Sequence, residues 1–480
     1  MKLQKYIPLP LALASLPLFS SFTENSNSKK DVKPNFIIIN IDDLGYSEVE
    51  PFGCEVNLTP NISKMAEEGT LLTSFYAASA RCSPARAALL TGCYPPRVGL
   101  GMGSEFVVLM PGDTLGINEE EVTLAEHLKS AGYATACIGK WHLGDQPEFL
   151  PENHGFDYYY GIPYSNDMWP QLRRFNFPPL PLLRGHEVID TINTEKKQSL
   201  LCQQFTDEAI AFIEKNSDNP FFLYLPHSFI HTPRIARDSF LLVTPNPDKN
   251  TGGVISEIDH SVGQILAALK DLEIDNNTMV WFMSDNGGTS ETANYPLRGT
   301  KGSYWEGGFR VPGIVRWPDK IPAGKRLDGI VTQIDIYPTL ASFAGLTAPK
   351  GQITDGIDVS GYLTGKEKAS PREVFYYYNE NDLSAVRYQN WKLFYSGQLY
   401  NLEDDIGEEN DVSQQNPEIV SILNGYLEMI RKDIGDARLG IKGENIRPAG
   451  KKTENLKFII PATDEDGNPI THEVVRIVDR

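Results

Sequence analysis

Residues 35–41, Asn-Phe-Ile-Ile-Ile-Asn-Ile, are a near-continuous β-branched run. A half-exposed strand would alternate apolar with polar residues, so this run predicts a strand buried on both faces. Apolar runs at 134–138, 221–225 and 280–283 predict further strands. Between them the period becomes helical. Helices are expected over 62–68, 123–131, 201–215 and 256–272, the last with Ile258, Val262, Ile265, Leu266 and Leu269 on one face. The 123–131 segment carries its own punctuation: Thr123 as N-cap, Glu126 completing a capping box, and Gly132 as the stop. The alternation predicts an α/β fold.

Near residues 350–371 the composition turns to Gly, Thr, Asp and Lys, which places a domain boundary at about residue 360. The main domain is then 34–360, and a smaller domain occupies 361–480. In the second, short aromatic runs at 374–378, 385–388, 391–395 and 399–402 have hairpin spacing, and 419–431 reads as a helix. A small α+β domain with an antiparallel sheet is expected. No 20–50 residue repeat interrupts either part.

Five times an apolar segment stops and a polar cluster follows: Asp42-Asp43, Cys82 with Arg86, Lys140 with His142, His231, and Asp285-Asn286. Any one could be a capped loop. All five together describe the rim of one site, at the strand ends where open α/β sheets place their ligands.

Composition narrows the class. The 480 residues carry 41% hydrophobic residues, 40 Gly and 33 Pro, an ordinary globular balance with many loops. A formal net charge of -19 argues against a nucleic-acid partner, which needs a Lys/Arg excess. Residues 1–21 order Lys2 and Lys5, an apolar stretch over 7–19, then Ser20 and Ser21. That order reads as a cleaved signal peptide, too short and Pro-broken to span a membrane. Residues 22–33 read as a disordered lead-in, and export is expected. Cys54, Cys82, Cys93, Cys137 and Cys202 include no C-x-x-C pair, so a zinc cluster is not expected, and disulfide connectivity stays open.

Asp42, Asp43, Asp285 and Asn286 offer oxygen donors alone, which suits Ca2+ and, after it, Mg2+. Arg86, Lys140 and Lys301 can neutralise an anion, while His142 and His231 can move protons. Pro84 suits the first turn of a helix, so Cys82 sits at or just before a helix N-terminus. Cys82-Ser83-Pro84-Ala85-Arg86 matches the C-x-P-x-R motif of the type I sulfatases, and the following Leu89-Leu90-Thr91-Gly92 resembles the same family. Further resemblances follow in family order: Gly139-Lys140-Trp141-His142-Leu143-Gly144, His231-Thr232-Pro233, and Arg298-Gly299-Thr300-Lys301-Gly302-Ser303 with Glu306-Gly307-Gly308 and Arg310. Gly161-Ile162-Pro163-Tyr164-Ser165-Asn166-Asp167 resembles the arylsulfatase A and N-acetylgalactosamine-6-sulfatase branch.

The resemblance implies an alkaline-phosphatase-like fold, a large mixed sheet flanked by helices, with 34–360 as the catalytic domain. It implies that Cys82 is oxidised to formylglycine by a formylglycine-generating enzyme, and that one hydroxyl of the hydrated aldehyde attacks sulfur. Asp42, Asp43, Asp285 and Asn286 would hold calcium with converted Cys82. Arg86 and Lys140 would steady the formylglycine and the sulfate, and His142 would be the base for collapse of the diol. His231, as general acid, and Lys301 would meet the sulfate and its leaving oxygen, and Ser165 would lie in the site. A small sulfated mono- or oligosaccharide is the expected substrate, since the acidic surface repels long polyanions. The bacterial periplasm is expected ahead of secretion or a lysosome. Two alternatives stay open: a two-zinc phosphomonoesterase or phosphodiesterase of the same superfamily, and a non-catalytic binder of sulfated glycans with Cys82 unconverted. The Pro- and Arg-rich stretch 167–195 matches no motif, and is expected to shape the substrate pocket.

Overall fold

The computed structural model describes residues 33–463 and 469–470, apart from 173, 174 and 176. The expected signal peptide and nearly all of the lead-in lie outside them. The described residues form one compact unit.

Ten strands make one sheet. In chain order they are β1 (Asn35–Ile41), β2 (Thr70–Leu72), β3 (Ala134–Lys140), β4 (Tyr158–Ile162), β5 (Leu180–Arg184), β6 (Glu187–Ile192), β7 (Phe221–Pro226), β8 (Thr278–Ser284), β9 (Gly313–Arg316) and β10 (Lys325–Leu327). Their spatial order is β10-β2-β9-β8-β1-β7-β3-β4-β5-β6. The central five, β8 to β4, run parallel, and antiparallel pairs flank them on both sides. The sheet is therefore mixed, as expected.

Every residue of β1 is buried. Ile37, Ile39 and Ile41 point into one core with α1 (Pro60–Glu67), α4 (Leu201–Lys215) and α5 (Lys249–Asp271). Phe36 and Ile38 point into a second core with α2 (Cys82–Thr91), α3 (Leu124–Ser130) and α6 (Gln333–Phe343). Helices on both faces explain why the strand is buried at every position and apolar at all but Asn35 and Asn40. The Thr123 and Glu126 capping box is formed as read.

Three expectations need correcting. Helix α5 begins at Lys249, seven residues early, because Asp248 accepts hydrogen bonds from Asn250 N and Thr251 N and caps it there. Strand β3 runs on to Lys140, so Gly139 and Lys140 belong to the sheet rather than to a loop beyond it. Gly139 is needed there: a Cβ would lie 2.0 Å from Pro226 O, and φ is +131°. The 167–195 stretch, for which no element was expected, contains the edge hairpin β5–β6.

The C-terminal sheet has four antiparallel strands, β11 (Val374–Asn379), β12 (Asp382–Tyr388), β13 (Trp391–Phe394) and β14 (Leu399–Asn401). Helix α7 (Pro417–Asp433) covers one face through Leu423, Leu427 and Ile430. All five cysteines are free, so no disulfide forms among them.

Candidate active site

The register Ile41 opposite Ser284 sets the next residues of β1 and β8, Asp42 and Asp285, side by side at the carboxyl edge of the sheet. Asp42, Arg86, Lys140, Asp285 and Asn286 are wholly buried, and Asp43, Cys82, His142 and Ser165 are 2% exposed or less. Lys301 and His231 stand at the opening, with side chains 14% and 13% exposed. All the residues singled out from sequence belong to this one cluster. Asp43 and His142 reach it through left-handed backbone, φ 64° and 61°, a conformation non-glycine residues adopt at some cost.

Cys82 opens helix α2, where backbone N–H groups favour negative charge. Its Sγ lies 3.5 Å from Asp42 Oδ1, 3.9 Å from Asp43 Oδ1 and 3.1 Å from Lys301 Nζ. Burial pushes the thiol up to about 12, against the pull of Lys140 and Lys301. As a thiol it is therefore a poor nucleophile at neutral pH.

Each carboxylate has its own cation. Lys140 Nζ sits 2.5 Å from Asp42 Oδ2 and donates to Ser165 Oγ at 3.2 Å. Lys301 Nζ is 2.6 Å from Asp43 Oδ1. Arg86 grips Asp285 Oδ2 through Nη2 at 2.7 Å and Nε at 3.1 Å, and donates Nη1 to Lys140 O. Burial opposes ionisation of Asp42, yet Lys140 and the other nearby cations outweigh it and hold this carboxyl far below its ordinary range. For Asp285 burial and the Asp42 charge win over Arg86, and the group is pushed up to about 6. Negative charge is thus crowded here beyond what the three cations relieve.

Two groups of ligand atoms, Asp42, Cys82 and Asp285, and Asp43, Cys82 and His231, each lie within 4.8 Å of one another. Asn286 donates Nδ2 to Asp43 Oδ1 at 2.8 Å, which leaves its Oδ1 buried with no partner. An orphaned amide oxygen beside three crowded carboxylates fits a hard divalent cation, for which all four offer oxygen. His231 as a third possible donor was not expected from sequence.

His142 Nε2 is 3.0 Å from Leu109 O and so carries the proton, while Nδ1 is buried and unpartnered. Burial, aided by Lys140 and Arg86, holds the ring well below its ordinary pKa, so it is neutral with a lone pair at Nδ1. His231 Nε2 is 3.6 Å from Asp43 Oδ2, and its Nδ1 is 3.9 Å from Asp167 Oδ1. Asp167 was quoted in a motif but given no role. Its place at the end of that motif was the one available signal.

Glu306, by contrast, points away from the site. It receives Tyr377 Oη at 2.6 Å and Lys392 Nζ at 3.2 Å, and also bonds Tyr76 Oη. The motif after Lys301 therefore ties the Lys301 loop to strands β11 and β13.

Known proteins share this arrangement of elements and motifs. The sulfatase family model matches residues 34–346, and the model of the N-sulphoglucosamine sulphohydrolase C-terminal region matches residues 300–433. Arylsulfatase G of Rattus norvegicus is 32% identical over 480 residues, covering 86% of this chain and 89% of that protein. N-acetylgalactosamine-6-sulfatase of Canis lupus familiaris is 36% identical over 379 residues, covering 75% and 72%. The crystal structure of Ps i-CgsB in complex with k-i-k-neocarrahexaose aligns with a TM-score of 0.74 at 32% identity, covering 83% of this chain and 92% of that one. The acidic cluster and its thiol lie inside the matched region, and the chain belongs to the type I sulfatase family, whose work is the hydrolysis of sulfate esters.

Proposed function

We propose that this sulfatase cleaves sulfate monoesters of a carbohydrate, with formylglycine formed from Cys82 and a calcium ion held by Asp42, Asp43, Asp285 and Asn286. The observation that carries the reading is the convergence of three carboxylates, the unpartnered Asn286 Oδ1 and the Lys301 ammonium on Cys82 Sγ. When present, the hydrated aldehyde supplies the nucleophilic oxygen and the metal acidifies it. The crowded carboxylates favour a divalent cation, and Lys140 and Lys301 then face the single negative charge of a sulfate ester.

Lys140 and Lys301 hold the non-bridging sulfate oxygens, and Arg86 fixes Asp285 for the metal. His231, at the opening, protonates the leaving sugar oxygen. His142 accepts a proton at Nδ1, the lone pair its bond to Leu109 leaves free. Ser165 receives Lys140 Nζ and sets its direction.

A carbohydrate substrate is supported by a relative named for N-acetylgalactosamine 6-sulfate and by a neighbour solved with a neocarrahexaose. A two-zinc phosphoesterase would want several histidine ligands, whereas the two ligand groups contain His231 alone. Export to a bacterial periplasm, ahead of secretion or a lysosome, rests on the pattern of residues 1–21. Among the described residues no helix is long and apolar enough to cross a membrane.

Mass spectrometry of a peptide spanning Cys82 tests the reading, with a protease other than trypsin because Arg81 and Arg86 flank the site. The aldehyde is expected in protein from the native host. A free thiol there removes the nucleophile and leaves a glycan binder as the better account.

A further inference from the structure

Arg81 precedes the nucleophile position by one residue and is the N-cap of α2. Its backbone N–H bonds Ser79 Oγ at 3.2 Å, but among the described residues its guanidinium makes no hydrogen bond and no ion pair, and Nε is buried without a partner. Four buried arginines behave differently. Arg86, Arg97, Arg316 and Arg372 each meet a carboxylate at 2.7 Å or less. Among the described residues Arg234 and Arg298 also lack an acidic partner, but each donates to neutral oxygens, which Arg81 does not. A buried Nε lacking a partner forfeits hydration, and the fork that carries it is open to a ligand.

Its surroundings say where that ligand lies. The guanidinium rests against Gly302, the residue after Lys301: a Cβ on Gly302 would fall 2.4 Å from Arg81 Cζ and Nη2. Gly302 also has φ +78° and donates its N–H to Ala80 O, so the chain is bare at the spot the arginine occupies. Lys301 Nζ meets Cys82 Sγ at 3.1 Å. A free fork of N–H donors thus packs on the residue after Lys301 and belongs to the residue before Cys82. Its geometry matches paired oxygens of a sulfate or carboxylate.

We propose that Arg81 forms an anion subsite next to the nucleophile and binds a second anionic group, sulfate ester or carboxylate, on the sugar whose sulfate is removed. The proposal rests on the sulfatase reading of Cys82 and deepens it. The preferred substrates are dianionic or higher: a doubly sulfated sugar, or a sulfated sugar joined to a uronic acid.

The test is calorimetric binding to the full chain carrying Cys82→Ala, with and without Arg81→Gln. The probes are N-acetylgalactosamine 6-sulfate, its 4,6-disulfate, and the 6-sulfate joined to glucuronic acid. With Arg81 present, at least one doubly charged probe is expected to bind more tightly than the monosulfate. Arg81→Gln should weaken that probe about 10- to 100-fold and the monosulfate less than about threefold, with Arg81→Lys in between. Whichever probe gains tells sulfate from carboxylate. Equal weakening of all three, which a merely structural arginine would give, overturns the proposal. So does indifference of the Arg81 protein to the added charge. Turnover of 4-nitrophenyl sulfate by the unsubstituted chain is measured separately: its absence counts against the formylglycine reading, and the binding contrast still decides Arg81.

Discussion

One amide carries much of the argument at the scale of residues. Asn286 spends its Nδ2 on Asp43 and keeps its Oδ1 unpaired in a fully buried place. Leucine in its place removes that donor and the bond that orients Asp43. Asn286→Leu is expected to weaken calcium binding at least tenfold and to lower turnover about 100-fold or more, read by calcium titration and by sulfate release. Asp42, Asp43 and Asp285 were legible in sequence because each ends a strand whose apolar run is unmistakable. Arg81 and Asp167 were not. Nothing along the chain says which arginine lacks a partner, or that Asp167 faces His231 across more than sixty residues.

At the scale of elements, helices are fixed to one another by side chains as well as by apolar contact. Asp259 on α5 accepts hydrogen bonds from Ile62 N and Asn61 Nδ2 at 2.8 Å, and so caps the first turn of α1 from outside. Burial pushes its carboxyl up to about 6 despite those bonds. A folded value above the ordinary 3.8 means the folded chain binds the extra proton between the two. That contribution to stability is complete below pH 3.8 and is lost as pH rises through about 6. Asp259→Asn keeps an acceptor for Ile62 without the charge. It should melt above the parent protein at pH 7, with the gap closing toward pH 4 in thermal melts. Such a cap was not legible from sequence, because donor and acceptor are far apart in the chain. The start of α5 was missed for a local reason: Gly252 and Gly253 disfavour helix, while Asp248 supplies the cap that carries the helix through them. The edge hairpin β5–β6 was hidden by Pro181 and by exposed Val188 and Ile189, which blur the period of two.

Across the whole molecule, the C-terminal sheet is joined to the catalytic edge by buried charge. Lys392 on β13 lies 3.2 Å from Glu306 and 2.7 Å from Glu408, and all three are fully buried. Lys392→Met strands the Glu408 carboxyl and takes one cation from Glu306, and should cost about 3–5 kcal/mol of stability, seen as a lower denaturant midpoint. The acidic exterior predicts a second result: turnover of a long polysulfated chain should rise about two- to threefold between low and physiological salt, and that of a short monosulfated sugar should change little. The α/β class and the rim of the site were legible because strand-end chemistry follows from apolar runs. The lock between the sheets was not, since it joins residues about a hundred apart. That lock also puts events in time. Cys82 is 2% exposed, and the loop above it is held by Glu306 to strands completed about 300 residues after Cys82. A catalyst of protein size cannot reach this sulfur once those strands close. The oxidation proposed for Cys82 therefore belongs to the nascent chain, and a molecule that folds first keeps its thiol for life.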